Sequence, residues 1–184
     1  DQKQHLELCR DIAQKFNNDD KVEDFLVPPE PLIQKQFSRI MSLKDGTKKM
    51  SKSDVSDLSR INLKDSKDLI INKIKKAKTD PHPIPYIIEE LENRPEAENL
   101  LGIYSSLKNQ NINTTLKEFG GNNFSEFKTS LSEHFIDKIS PIANEINKLL
   151  KDTDYIDKIL LAGAEKANDI AENKVREIKK IIGF

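Results

Sequence analysis

The chain has 184 residues, 36% of them hydrophobic and 33% charged, with a formal net charge of −1. That composition excludes a disordered chain and a globally basic nucleic-acid binder, so any nucleic-acid contact must come from local patches. The one cysteine, Cys9, excludes a disulfide framework within the chain. No apolar run reaches the length of a membrane span, and the polar N-terminus does not read as a signal peptide. A cytoplasmic or organellar-matrix location is expected, with no membrane partner.

Residues 3–17 place Leu6, Cys9, Ile12, Ala13 and Phe16 on one helical face, with Asp1 capping or preceding the helix. Residues 24–27 (DFLV) predict a short strand, stopped by Pro28-Pro29. A second strand is predicted over 38–43 (SRIMSL), followed by the loop DGTKKMSKS (45–53). Residues 1–54 therefore read as the tail of an α/β unit, too short to complete such a domain.

From residue 64 the pattern is helical. Asp65 or Ser66 caps a helix that holds Leu69, Ile70, Ile74 and Ala77, and DPHPIP (80–85) ends it. Pro95 opens the next helix, with Leu100, Leu101, Tyr104 and Leu107. Residues 124–150 carry one long apolar stripe from Phe124 through Phe127, Leu131 and Phe135 to Leu149, which Pro141 should kink or divide. Thr153 is expected to cap a last helix with Ile156, Leu160, Ala164, Ile170, Val175 and Ile178, ended near Gly183.

The loop 45–53 holds three lysines and two serines. Taken alone, KKMSKS reads as a solvated basic turn. It lacks the glycines of a Walker phosphate loop. Its residue types still suit phosphate chemistry. Lysine ammonium groups are point charges for phosphate oxygens, and serine hydroxyls and loop amides add hydrogen bonds. The Asp45-Gly46 pair predicts a turn that supplies a hinge, and a flexible loop of this kind could close on a triphosphate as charge builds on its oxygens.

KMSKS is the signature loop of class I aminoacyl-tRNA synthetases. The stretch RIMSLKDGTKKMSKSD (39–54) resembles the tryptophanyl-tRNA synthetases of the bacterial and mitochondrial type. DQKQHLELCRDIA (1–13), FGGNNFSEFK (119–128), GAEKANDIA (163–171) and the Gly183-Phe184 ending are similar to segments of the same family. The family usually has proline where this chain has Gly46, and Gly-Glu-Asp-Gln where only Asp1 and Gln2 stand here.

The resemblance implies a mainly α chain: a helical anticodon-binding domain over residues 61–184, joined to the tail of a Rossmann-like α/β catalytic domain over 1–60. The last helix would pack back on the catalytic domain. It also implies site roles. Lys49 and Lys52 would contact the ATP phosphates and stabilise the transition state as pyrophosphate leaves. Met50, Ser51 and Ser53 would complete the loop around the nucleotide. Ile40 would line the adenine site through its backbone, and Asp1 would approach the ATP ribose. The implied reaction joins L-tryptophan to ATP as tryptophanyl-adenylate and then passes the tryptophanyl group to tRNA(Trp). Magnesium accompanies the ATP, and no protein metal site is expected. Family members are homodimers. The family's first signature motif, His-x-Gly-His-like, is missing from the sequence, as is the tryptophan pocket, so this chain is expected to be the C-terminal part of the enzyme and inactive alone.

Three rival readings stand beside this one: a tyrosine-specific sister enzyme, a helical RNA-binding or interaction module without catalysis, and a degenerate relative that lost activity. Two basic clusters are candidates for tRNA phosphates: Lys73, Lys75, Lys76 and Lys78, and Lys174, Arg176, Lys179 and Lys180. Each has the alternative of a solvated helix face. His5 and Cys9 are spaced like two metal ligands, but no second pair completes a site. A packed Cys9 is the expectation.

Overall fold

The computed structural model describes residues 3–33 and 39–184. Among them are six α-helices: α1 (Lys3–Asp19), α2 (Lys67–Lys76), α3 (Pro95–Leu107), α4 (Ile112–Phe119), α5 (Phe124–Leu149) and α6 (Thr153–Ile181). A single antiparallel hairpin joins β1 (Met41–Ser42) to β2 (Asp45–Lys49). The chain forms two compact units, Asp1–Gln34 with Asp152–Phe184, and Lys35–Lys151. These are units of compactness. The expected division near residue 60 is one of role.

In the first unit, α1 carries the i,i+4 pairs Lys3–Glu7 and Lys15–Asp19 on its exposed face. The predicted strand over 24–27 does not form. The carboxamide of Asn17 takes both backbone groups of Leu26, donating to its carbonyl (2.9 Å) and accepting from its amide (3.0 Å). Asp24 sits in the left-handed region (φ 49°), and Pro28 and Pro29 offer no amide to a ladder. Cys9, expected to be packed, is exposed. Asp152, not Thr153, caps α6 by accepting from the Tyr155 amide (3.1 Å). At the far end Gly183 adopts φ 86°, and the Phe184 amide reaches the Lys179 carbonyl (2.8 Å). That is the closure a C-terminal glycine permits. The apolar stripe of α6 is present, yet no residue of the helix is buried.

The second unit holds the core. Ile70 and Ile74 of α2, Leu100, Leu101 and Tyr104 of α3, Leu116 of α4, and Phe127 and Leu131 of α5 are essentially inaccessible. Tyr104 packs edge-on against Phe119 at 5.0 Å between ring centres. Its hydroxyl donates to Glu118 (2.9 Å), so the buried ring keeps its polar end satisfied. Ser66 caps α2 as expected, and Pro95 occupies the first turn of α3. Helix α5 runs unbroken through Pro141. The position is exposed, so water can take the carbonyl that the missing amide leaves. No helix among the described residues is long and apolar enough to cross a membrane.

Candidate functional site

The lysine-rich segment is only partly a loop. Lys48 and Lys49 lie on β2, and the hairpin turn is at Leu43-Lys44, one step before the Asp-Gly pair. Met41 pairs with Lys49 and Ser42 with Asp45, so Gly46, Thr47 and Lys48 form a bulge on β2. Gly46 is therefore not in the turn. It lies against the start of α3, where an added Cβ would stand 2.5 Å from the Glu96 nitrogen and 2.6 Å from the Pro95 carbonyl carbon. Asp45 folds the bulge onto itself, accepting from the Thr47 hydroxyl (2.6 Å) and amide (3.1 Å) and pairing with Lys48 (3.3 Å). The Thr47 bonds, and secondarily Lys48, hold the Asp45 carboxyl below its ordinary pKa.

Ile40, Lys49 and Met50 are brought together. The Met50 amide donates to the Ile40 carbonyl (3.1 Å), directly beyond the Met41–Lys49 pair. Ser51, Lys52 and Ser53 follow as an exposed turn. The Ser51 and Ser53 hydroxyls lie 2.9 Å apart, and the Ser53 amide donates to Ser51 Oγ (3.3 Å). The four hydroxyl- and ammonium-bearing residues of the motif, Lys49, Ser51, Lys52 and Ser53, are thus on one short solvent-facing stretch. Asp1, expected near the ribose, lies outside the described residues. The side chains of Ile40 and Met50 line a mainly apolar cavity of about 300 Å³ together with Ile103 and Leu107 of α3 and Phe135 of α5.

Both ends of the motif are anchored to the helices. On the near side, Asn99 of α3 donates to the Met41 carbonyl and accepts from the Met41 amide, each at 3.0 Å. The turn residue Leu43 is buried and held by backbone bonds to Ser59 (2.9 Å) and Lys78 (2.7 Å). On the far side, a 3₁₀ turn at Asp57–Ser59 meets α2. There the fully buried Lys73 ammonium lies 2.6 Å from both Asp57 and Asp65. Asn62 donates to the same two carboxylates, and Arg60 adds a bond to Asp57 (3.2 Å). The Lys73 bond is the largest cause of the lowered Asp57 pKa.

Lys73 is therefore removed from the candidate phosphate contacts. Its sequence position could have shown this, since residues 70, 73, 74 and 77 share one helical face with Ile70, Ile74 and Ala77. Lys78 pairs with Glu96 (2.7 Å), while Lys75 and Lys76 are exposed. In the second cluster Lys174 stands 3.5 Å from the Phe25 ring centre, a cation–π contact, and Arg176 pairs with Glu172 (3.5 Å). Asn99 gave no sequence signal: one asparagine in an apolar helix does not reveal a partner 58 positions away.

The anchored hairpin bearing KMSKS defines a class, and comparison with known proteins agrees. The family described as tRNA synthetases class I (W and Y) matches residues 1–139, and the chain belongs to it. Among its curated relatives are the tryptophan–tRNA ligases of Rhizobium meliloti and Caulobacter vibrioides. Each is 50% identical; the alignments cover all of this chain and 57% and 54% of those proteins. The chain thus spans somewhat more than half the length of these relatives. Among solved structures, the tryptophanyl-tRNA synthetase of Mycoplasma pneumoniae aligns with all of this chain and 54% of its own, at a TM-score of 0.82 and 28% identity. That of Campylobacter jejuni, complexed with ADP and tryptophan, aligns at 0.68 and 26% identity, covering all of this chain and 55% of its own.

Proposed function

We propose that this chain is the C-terminal part of a tryptophan–tRNA ligase. The full-length protein would activate L-tryptophan with ATP and transfer the tryptophanyl group to tRNA(Trp). The single observation that supports this reading best is the KMSKS segment held on a hairpin fixed at both ends, in a chain about 50% identical to tryptophan–tRNA ligases over its whole length. Lys49 and Lys52 would neutralise charge as the tryptophan carboxylate attacks the α-phosphate and pyrophosphate leaves. The Ser51 and Ser53 hydroxyls and the exposed turn amides would bind phosphate oxygens. The Ile40 backbone would line the adenine site, Met50 would help complete the loop around the nucleotide, and Asp1 would approach the ribose. Magnesium would arrive with the triphosphate. Among the described residues, no group of three His, Cys, Asp or Glu could hold a metal ion.

Residues 61–184 would serve anticodon recognition and residues 1–60 would complete the catalytic domain, with a homodimer as the working unit in the cytoplasm or an organellar matrix. The chain by itself would not catalyse, since it lacks the first signature motif and the amino-acid pocket. The test is ATP–pyrophosphate exchange by the full-length protein, with tryptophan and tyrosine as competing substrates. Exchange dependent on tryptophan alone is expected. Exchange with tyrosine instead would move the assignment to the sister enzyme, and none with either would leave an RNA-binding module.

A further inference from the structure

We infer that Asn99 is a positioning residue for the signature motif: its carboxamide acts as the missing neighbouring strand of β1 and so sets where Lys49 and Met50 stand. Its consequence for catalysis rests on the function proposed above; the structural claim does not.

Strand β1 is two residues long, and among the described residues β2 is the only strand paired with it. A lone pair of short strands is marginal in water. The other edge of Met41 would expose an amide and a carbonyl with no ladder to join. Asn99 supplies both partners at 3.0 Å, because a carboxamide carries the same donor and acceptor as a peptide group. On its inner edge Met41 pairs with Lys49, and the adjoining Ile40 carbonyl holds the Met50 amide. The path from helix to motif therefore runs through two sets of hydrogen bonds, from Asn99 to the Met41 backbone and from the adjoining Ile40 carbonyl to the Met50 amide, with Lys49 carried beside Met41 by the strand register.

Two further observations give this path its weight. Asn99 is 8% exposed and flanked on α3 by the buried Leu100 and Leu101, so its orientation is fixed by the core. Packing holds the hairpin at Leu43 and Gly46 but fixes its other end less, because Ile40 and Met50 line a cavity of about 300 Å³. Hydrogen bonds must then hold what side-chain contact leaves open.

The experiment uses the full-length protein with Asn99→Asp and Asn99→Ala. The aspartate keeps shape and acceptor but loses the donor to Met41 and sets a carboxylate against its carbonyl. The alanine keeps neither bond, and either variant serves if the other fails to fold. Tyr104→Phe is the control, since it removes a hydrogen bond from the same helix without touching the hairpin. Amide exchange at Met41 and Met50 is measured alongside activation kinetics. The Asn99 variants are expected to raise Met50 exchange and lower kcat for activation by about tenfold or more, with the KM for tryptophan changed less than about twofold. Tyr104→Phe should change neither. Wild-type exchange at Met50 in an Asn99 variant, or an equal loss of kcat in Tyr104→Phe, would overturn the inference. If the wild-type protein activates no amino acid, the proposed function fails, while Met50 exchange still decides the role of Asn99.

Discussion

Lys73 offers the sharpest energetic prediction. Its ammonium is wholly inaccessible and lies 2.6 Å from a carboxylate oxygen of Asp57 and of Asp65. Lys73→Met keeps the stem and removes the charge. Asp65, with a side chain 7% exposed, then remains buried with only its Asn62 bonds. Removing one member of a buried ion pair costs about 3–5 kcal/mol. Asp57 is 52% exposed and is rehydrated when its partner goes, which favours the low end. About 3 kcal/mol corresponds to roughly a 150-fold rise in the opening equilibrium. Amide exchange at Ile70 and Ile74, read in the full-length protein, measures that opening locally. The double variant Lys73→Met with Asp65→Leu should recover much of the loss, because an apolar replacement leaves no buried charge unpaired. A single-variant rise below about fivefold, or a double variant no better than the single, would refute the reasoning.

Gly46→Ala should destabilise the second unit by about 1–3 kcal/mol and loosen the hairpin, since the new Cβ would meet backbone and not a flexible side chain. Thermal unfolding reads the loss, and an unchanged midpoint would contradict it. Gly183→Ala should cost about 1 kcal/mol at the end of α6, because φ 86° strains any residue with a Cβ; faster amide exchange at Phe184 would report it. Acid should weaken the fold through Asp57, Asp80, Glu96 and Glu118, all with lowered pKa values. For Asp57 and Glu96 the first cause is the bond from Lys73 and Lys78. For Asp80 and Glu118 burial is the largest single influence and pushes upward, but the bonds and charges of Arg94 and His82, and of Tyr104, Gln110 and Lys108, together outweigh it. The unfolded chain binds more protons at these sites, so their stabilisation is present above about pH 4–4.5 and is lost as pH falls through the lower folded values. A denaturation midpoint flat from pH 5 to about pH 3 would exclude this linkage.

The helices were legible because their causes are local. Ser66 as a cap, Pro95 in a first turn, Gly183 at a C-terminus and the three-and-four spacing of Phe124, Phe127 and Leu131 are all short-range signals. The hairpin was half legible. SRIMSL announced β1, but the turn moved off Asp-Gly because Leu43 is buried and bonded to Ser59 and Lys78, a tertiary preference that local turn chemistry does not record. DFLV misled for a related reason: its backbone groups were taken by the Asn17 side chain before any strand could pair with them. Asn17 on Leu26 and Asn99 on Met41 are the same device, and neither partner is visible from spacing. Lys73 misled through composition, since counting it among neighbouring lysines hid its place on the Ile70–Ile74 face. The motif residues were found through their pattern, and the anchors that hold them were not, because anchoring is a property of distant pairs.

The proposed role of Lys49 and Lys52 is to stabilise the transition state of activation. Pre-steady-state activation by the full-length protein carrying Lys49→Ala and Lys52→Ala together, with ATP affinity measured in parallel, isolates that role. A loss in activation rate of about 100-fold or more is expected against a change in ATP affinity below about tenfold, since the lysine contacts would strengthen as charge develops on the departing phosphates. Equal losses in rate and affinity would mean that the loop only binds ATP in its ground state, and an unchanged rate would remove it from the chemistry.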